Sequence, residues 1–138
     1  MIIRAFQSSD EDAVVDLWTR CGLTRPQNDP RKDIRRKLAV DPHLFLVAED
    51  AGAIIGTVMA GYEGHRGWIN YLAVSPDYRR GGVGRQLMTA AERLLIETGC
   101  PKINLQVRSS NAEVIAFYRA IGFAVDDVVS LGKRLVQD

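Results

Sequence analysis

The segment from Leu72 to Gly84 places the strongest constraint on the fold of this chain. An apolar strand ends at Ser75-Pro76, and the sequence continues Asp77-Tyr78-Arg79-Arg80-Gly81-Gly82-Val83-Gly84. An amphipathic helix follows, because Leu87, Met88, Ala91, Leu94 and Leu95 share one helical face. Glycines let the backbone approach a ligand closely, a helix N-terminus attracts anions, and arginines pair with phosphate oxygens. This strand–turn–helix unit is typical of a pyrophosphate-binding site.

Three phosphate-binding patterns compete for this segment, and two of them do not fit. A P-loop requires Lys followed by Ser or Thr after its last glycine, where this chain has Arg85-Gln86. A dinucleotide-binding turn requires a third glycine where Leu87 stands, and it belongs to a parallel βαβ unit. Taken alone, the segment is also compatible with a simple tight turn beside two solvated arginines.

The hydrophobic pattern of the 138 residues predicts an α+β domain without repeats or linkers. A first helix is predicted to end at Gly22. Ser8 or Ser9 is predicted to cap it, and Glu11 or Asp12 completes a capping box. Asp29 is predicted to cap a second helix and Asn111 the last one. Gly99 is predicted to end the helix that follows the glycine-rich segment, and Gly122 the last helix. Strands are predicted at residues 2–7, 44–49, 53–60, 68–74, 102–107, 123–129 and 131–136, and further helices at 30–39 and 111–121.

Composition and charge exclude several classes of function. A net charge of +1 gives no general attraction to nucleic acid or to a membrane surface. Two cysteines and two histidines make a disulfide framework or a structural zinc site improbable. We therefore expect no metal and no nucleic acid partner. Without an apolar run of membrane-spanning length or a signal peptide, we expect a cytoplasmic location.

Two blocks of residues carry a family resemblance. Arg79-x-x-Gly82-x-Gly84 resembles the R/Q-x-x-G-x-G/A signature of the GCN5-related N-acetyltransferase (GNAT) family. Asn111, followed by Phe117-Tyr118-x-x-x-Gly122-Phe123, is similar to the second characteristic block of that family. The predicted order of elements agrees over essentially the whole chain. Segments 25–30 and 61–67 further resemble the small bacterial YpeA-like acetyltransferases.

The resemblance implies a fold and an activity. The fold is the α+β GNAT-type acyl-CoA N-acyltransferase fold, a central mixed, mostly antiparallel sheet flanked by helices, with a V-shaped split between the fourth and fifth strands. One domain is expected to span residues 1–138, and the resemblance is compatible with a homodimer. The implied reaction moves an acetyl group from acetyl-CoA to a primary amine of a small molecule, peptide N-terminus or lysine, by direct attack in a ternary complex. A non-catalytic acyl-CoA-binding regulatory module is the alternative.

The resemblance also assigns candidate site residues. The expected CoA contacts are Leu72, Ala73, Val74, Arg79, Arg80, Gly81, Gly82, Val83, Gly84, Arg85, Asn111 and Tyr118. Tyr118 matches the family's general acid, and a phenol with an ordinary pKa of about 10 is protonated at neutral pH. Strand 68–74 contains no carboxylate to act as general base. Glu63 and His65, in the connection that enters this strand, are the candidate bases; both are equally compatible with a solvated loop.

Overall fold

A computed structural model describes all 138 residues of the chain. It divides into two compact units, residues 1–104 with Asp138 and residues 105–137. The strands are β1 (Ile2–Ala5), β2 (Phe45–Asp50), β3 (Ala53–Tyr62), β4 (Gly67–Val74) and β5 (Ile103–Leu105). The α-helices are α1 (Glu11–Arg20), α2 (Pro30–Leu38), α3 (Val83–Glu97) and α4 (Ala112–Ala120). Single 3₁₀ turns occupy Ser8–Asp10, Pro42–Leu44 and Pro76–Tyr78.

The five strands form one sheet in the order β1-β2-β3-β4-β5. The first four are antiparallel neighbours, while β4 and β5 run parallel. The backbone N–H of Gly67 donates to the carbonyl of Lys102 at 2.8 Å, which joins the chain at the beginnings of β4 and β5. Because β5 has three residues and β4 has eight, β5 pairs only with the first part of β4. The predicted α+β class with a mixed, mostly antiparallel sheet is confirmed.

One face of the sheet carries α1 and α2 over an aromatic core. Trp18 of α1 stacks on Phe45 of β2, with ring centroids 6.2 Å apart, and on Tyr71 of β4 at 3.8 Å. Phe6 stacks on the same Phe45 at 4.5 Å. Four side chains without solvent exposure complete this core: Val14, Leu17, Ile34 and Val47. Successive side chains of a strand point to opposite faces, so the other face is left for α3, which buries Leu87, Met88 and Leu95.

The ends of the helices show which local predictions hold. Asp29 caps α2, since its side chain accepts hydrogen bonds from the backbone N–H groups of Arg31 and Lys32. The predicted capping box at Ser8 or Ser9 is wrong, because those residues form a 3₁₀ turn. Gln7 and Asp10 make the reciprocal pair there instead. Asp10 is held in place by Arg4, whose guanidinium lies 2.8 Å from its carboxylate and lowers its pKa.

The unit of residues 105–137 consists of α4 and an irregular segment. Asn111 caps α4 by accepting from the N–H of Val114 at 3.3 Å, as predicted. The predicted Gly122, with a φ of 104°, lies just beyond the end of the helix at Ala120. The two strands predicted at 123–129 and 131–136 are wrong, since these residues form no strand. Their apolar side chains are exposed, Val128 by 79% and Leu131 by 90%. An alternating pattern marks a segment that can form a strand, but pairing depends on a partner elsewhere in the fold.

Candidate active site

The glycine-rich segment forms the turn that opens α3. Gly82 is the N-cap residue, and its φ of 82° lies in the left-handed region that favours glycine. The first helical hydrogen bond runs from the N–H of Gln86 to the carbonyl of Gly82 at 3.0 Å. The preceding N–H groups of Val83, Gly84 and Arg85 therefore have no partner within the helix. No acidic side chain lies in this first turn, so the helix dipole is available to an anion.

Contacts on the sheet side hold this turn in place. Ser75 is 4% exposed, and its N–H donates to the carbonyl of Ile55 at 2.7 Å. The Tyr78 hydroxyl donates to the Asp50 carboxylate at 3.1 Å, and this hydrogen bond raises the pKa of Tyr78. Arg79 and Arg80 are exposed beyond it, and Arg80 has a φ of 68°. The structure thus brings Arg79 to Arg85 together at one helix N-terminus, as the sequence predicted.

A β-bulge interrupts β4 beside the predicted CoA contacts Leu72, Ala73 and Val74. Thr57 of β3 faces Ala73 and Met59 faces Asn70, so the single residue between them opposes both Tyr71 and Leu72. Tyr71 has a φ of 51°, a left-handed conformation unusual for a residue with a large side chain. In a bulge the extra residue leaves the regular ladder of hydrogen bonds. Backbone groups of Tyr71 and Leu72 are therefore turned out of the pairing between β3 and β4.

Three side chains that the sequence analysis did not single out hold the bulge. The Trp18 indole N–H donates to the Thr57 hydroxyl at 2.9 Å, and that hydroxyl donates to the Tyr71 carbonyl at 2.8 Å. The Tyr71 hydroxyl donates to the Asp33 carboxylate at 2.6 Å. Burial and this carboxylate raise the pKa of Tyr71. The sequence carries only one slight sign of the bulge: the apolar run Tyr71-Leu72-Ala73-Val74 interrupts the alternation of β4 where the bulge lies.

The two candidate bases lie in the exposed β3–β4 connection. The Glu63 carboxylate accepts from the backbone N–H of His65 at 2.7 Å, from that of Arg66, and from the Trp68 indole at 3.2 Å. The pKa of Glu63 is lowered, chiefly by the Arg66 N–H and next by the His65 N–H. Glu63 therefore stabilises the conformation of its own loop, and its lowered pKa makes the carboxylate a weaker base.

The remaining candidates, Asn111 and Tyr118, belong to the unit of residues 105–137. Tyr118 is 8% exposed and makes edge-on ring contacts with Phe117 at 5.2 Å and Phe123 at 5.5 Å. Burial raises the pKa of Tyr118 to about 12. The phenol therefore keeps its proton throughout the neutral and mildly alkaline range, as a proton donor must.

Basic side chains of α2 form ion pairs and hydrogen bonds with other parts of the fold. Arg31 pairs with Glu11 at 2.7 Å and Asp12 at 2.8 Å. Arg36 pairs with Asp138 at 2.6 Å, and Lys37 donates to the Ala60 carbonyl at 2.6 Å while burial lowers its pKa. These charges act within the fold; the absence of a nucleic acid partner stays a prediction.

No helix is long and apolar enough to cross a membrane. No group of three or more His, Cys, Asp or Glu side chains lies in a position to hold a metal ion.

Comparisons with known proteins identify the family. The sequence profile of the Acetyltransferase (GNAT) family matches residues 11–123. The chain belongs to the GNAT family. It is 51% identical over 138 residues to an acetyltransferase of Yersinia enterocolitica, covering 100% of this chain and 98% of that protein. This GNAT member is therefore an acetyltransferase with acetyl-CoA as its co-substrate and an amine as its acceptor.

Solved structures agree with the assignment. Ard1 from Thermoplasma volcanium superimposes with a TM-score of 0.79 at 30% identity, over 91% of this chain and 83% of that one. The aminoglycoside acetyltransferase AAC(6′)-Iy, solved with a CoA-containing bisubstrate analogue, superimposes with a TM-score of 0.80 at 21% identity. That match covers 97% of this chain and 98% of the other. At this identity the second likeness supports the fold alone.

Proposed function

We propose that acetyl-CoA binds along β4 and at the N-terminus of α3. The observation that carries this proposal is the bare first turn of α3, where three N–H groups without helical partners follow a left-handed glycine. Val83, Gly84 and Arg85 hold the pyrophosphate, with Arg79 and Arg80 pairing with its oxygens. Backbone groups of Leu72, Ala73 and Val74 bind the pantetheine amides as an added strand would.

The bulge supplies the hydrogen-bond donor that polarises the thioester carbonyl. In our proposal, the N–H of Leu72 donates to the thioester oxygen and stabilises the negative charge that develops when the amine attacks. One such donor is worth roughly 10² to 10³ in rate in other enzymes. Attack forms the new C–N bond, and collapse of the tetrahedral intermediate breaks the C–S bond. Tyr118 then gives its proton to the departing CoA thiolate.

A primary amine that arrives as an ammonium ion must lose a proton to a base before it can attack the thioester. Of the two candidates, we assign this role to His65, because the Glu63 carboxylate is occupied by three donors and has a lowered pKa. Histidine is the side chain that most often acts as a general base in enzymes. The acceptor is a primary amine of a small molecule, peptide N-terminus or lysine.

We also propose that residues 1–138 work as a single domain. The family profile extends over residues 11–123 and so includes residues from both compact units.

Two measurements test these assignments. Thermal melting with saturating acetyl-CoA should raise the melting temperature of the wild type, because a ligand that binds only the native state stabilises it. The double variant R79A/G82E should lose that rise. No rise for the wild type would contradict the proposed binding site.

Thiol release, followed over a panel of primary amines, then tests the acid. Tyr118→Phe should lower kcat by about 10² or more while leaving acetyl-CoA binding intact, since only the hydroxyl is removed. Phe117→Leu is the matched control, as it alters the adjacent aromatic contact without touching a titrating group. Equal rates for Tyr118→Phe and the wild type would remove Tyr118 from the mechanism.

A further inference from the structure

Thr57 is a buried polar residue that neither motif block contains. Its side chain is 0% exposed, and it lies on β3 directly beside the position at which the pairing with β4 shifts. Its hydroxyl accepts from the Trp18 indole at 2.9 Å and donates to the Tyr71 carbonyl at 2.8 Å. A valine would fill the same space in this apolar core, but it would leave both partners unsatisfied.

The hydrogen bond to Tyr71 has a consequence for the next residue. The carbonyl of Tyr71 and the N–H of Leu72 belong to one peptide group, which is planar and trans. In such a group the C=O and N–H bonds point in opposite directions. By holding the carbonyl toward β3, the Thr57 hydroxyl therefore directs the Leu72 N–H away from β3.

The side chain of Tyr71 is also held in place. The Tyr71 ring stacks on Trp18 with centroids 3.8 Å apart, and its hydroxyl donates to Asp33 at 2.6 Å. Trp18 thus contacts both the ring of Tyr71 and the hydroxyl that holds its carbonyl. These contacts hold Tyr71 in its left-handed conformation, which costs free energy in an L-residue and persists only where surrounding contacts enforce it.

We propose that Thr57 is a positioning residue for acetyl transfer, which aims the Leu72 N–H at the thioester oxygen by holding the Tyr71 carbonyl. This inference rests on the proposed function, in which that N–H stabilises the oxyanion. Because Thr57 has no solvent exposure, it acts through the peptide group between Tyr71 and Leu72 rather than by direct contact with substrate or cofactor. Oxyanion donors are effective when their direction is fixed before the reaction, because no reorganisation is then needed.

The experiment compares Thr57→Val, which removes the hydroxyl at nearly constant volume, with Thr57→Ser, which retains it. The first measurement is made on the free protein, where residual dipolar couplings report the direction of the Leu72 N–H bond. We expect that direction to change in Thr57→Val and to be kept in Thr57→Ser. The second measurement is the infrared band of acetyl-CoA labelled with carbon-13 at the thioester carbonyl. Binding to the wild type and to Thr57→Ser should move it to lower frequency, and binding to Thr57→Val should move it less.

Kinetics complete the comparison. Thr57→Val should lower kcat about tenfold or more, since misdirecting a donor forfeits part of its contribution. The Kd of acetyl-CoA should change little, because the pyrophosphate contacts at α3 remain. Val14→Ala, a truncation in the same core that leaves the Thr57 hydroxyl in place, controls for lost stability and should keep both kcat and the infrared shift. If Thr57→Val does not fold, Thr57→Cys replaces it, with a thiol that donates only weakly.

The outcomes separate the two proposals. An unchanged Leu72 N–H direction in Thr57→Val, or an unchanged infrared shift and kcat, overturns the role of Thr57 while the proposed function stands. Loss of activity in Thr57→Ser equal to that in Thr57→Val also overturns it, since the hydroxyl would then not matter. A wild type that fails to bind acetyl-CoA overturns the proposed function, and with it any catalytic role for Thr57.

Discussion

Replacing Gly82 with alanine should weaken the binding of acetyl-CoA, because the bound turn would then be strained. Gly82 has a φ of 82°, and an added Cβ would meet only the Gln86 side chain, at 4.0 Å. The substitution is therefore not blocked by a clash, and its cost is that of a left-handed L-residue, roughly 1–2 kcal/mol. Because Gly81 and Gly82 are exposed, we expect the turn to relax in the free protein. Binding must then restore the strained conformation, and 1.4 kcal/mol of strain weakens binding about tenfold.

Gly99, at the other end of the same helix, provides the matched control. Its φ is 88°, and an added Cβ would meet nothing within 4 Å. The N–H groups of Gly99 and Cys100 donate to the carbonyls of Ile96 and Leu95 at 3.0 and 3.1 Å, which closes α3 in a Schellman motif. Gly99→Ala carries the same intrinsic strain as Gly82→Ala, but it lies at the C-terminal end of α3, away from the proposed phosphate contacts.

Thermal melting distinguishes the two variants. For 138 residues, 1 kcal/mol corresponds to about 3–4 °C in melting temperature. Acetyl-CoA at a hundred times its Kd should stabilise the wild type by about 2.7 kcal/mol, or about 9 °C. With tenfold weaker binding at the same concentration, Gly82→Ala should retain a rise of about 5 °C. Gly99→Ala should melt a few degrees lower without ligand and keep the full rise.

Two results would refute this reasoning. A full rise of about 9 °C in Gly82→Ala would show that the left-handed turn is not needed to present the N–H groups of Val83 and Gly84. An equal loss of the rise in Gly99→Ala would show that the effect belongs to the stability of α3 rather than to the turn.

Two further predictions concern the capping of α2 and the β3–β4 connection. Asp29→Ala removes the acceptor for the N–H groups of Arg31 and Lys32 and should lower stability by about 1 kcal/mol, whereas Asp29→Asn keeps a capping oxygen; equal melting temperatures for the two variants would contradict this. The pKa of Glu63 is lowered from its ordinary 4.5, so its ionised form stabilises the fold fully above that value, and this contribution is lost as pH falls below 4.5 through the lowered pKa of the folded state. The wild type should therefore melt above Glu63→Gln at pH 7, and the difference should shrink below pH 4.5; a difference independent of pH would exclude the charge as its cause.

Local rules determined much of the secondary structure. Asp29 and Asn111 cap helices where the sequence placed them, because a cap depends on only a few neighbouring residues. The predicted box at Ser8 or Ser9 failed, since Gln7 and Asp10 formed the reciprocal pair with support from Arg4, a residue of β1. The two final strands failed because a strand requires a partner, and alternation within 123–136 cannot supply one.

The sequence by itself determined the glycine-rich turn for which we propose phosphate binding, because the properties required of it are local. A left-handed glycine, a helix that begins directly after it and adjacent arginines all lie within Arg79 to Arg85. Only the tertiary structure decided the bulge at Tyr71 and the residues that hold it. Trp18, Asp33 and Thr57 lie 53, 38 and 14 residues from Tyr71 along the chain, although ring stacking or a hydrogen bond joins each of them to it. Packing of α1 and α2 on the sheet brings these groups together, and no local pattern encodes which distant side chains will meet.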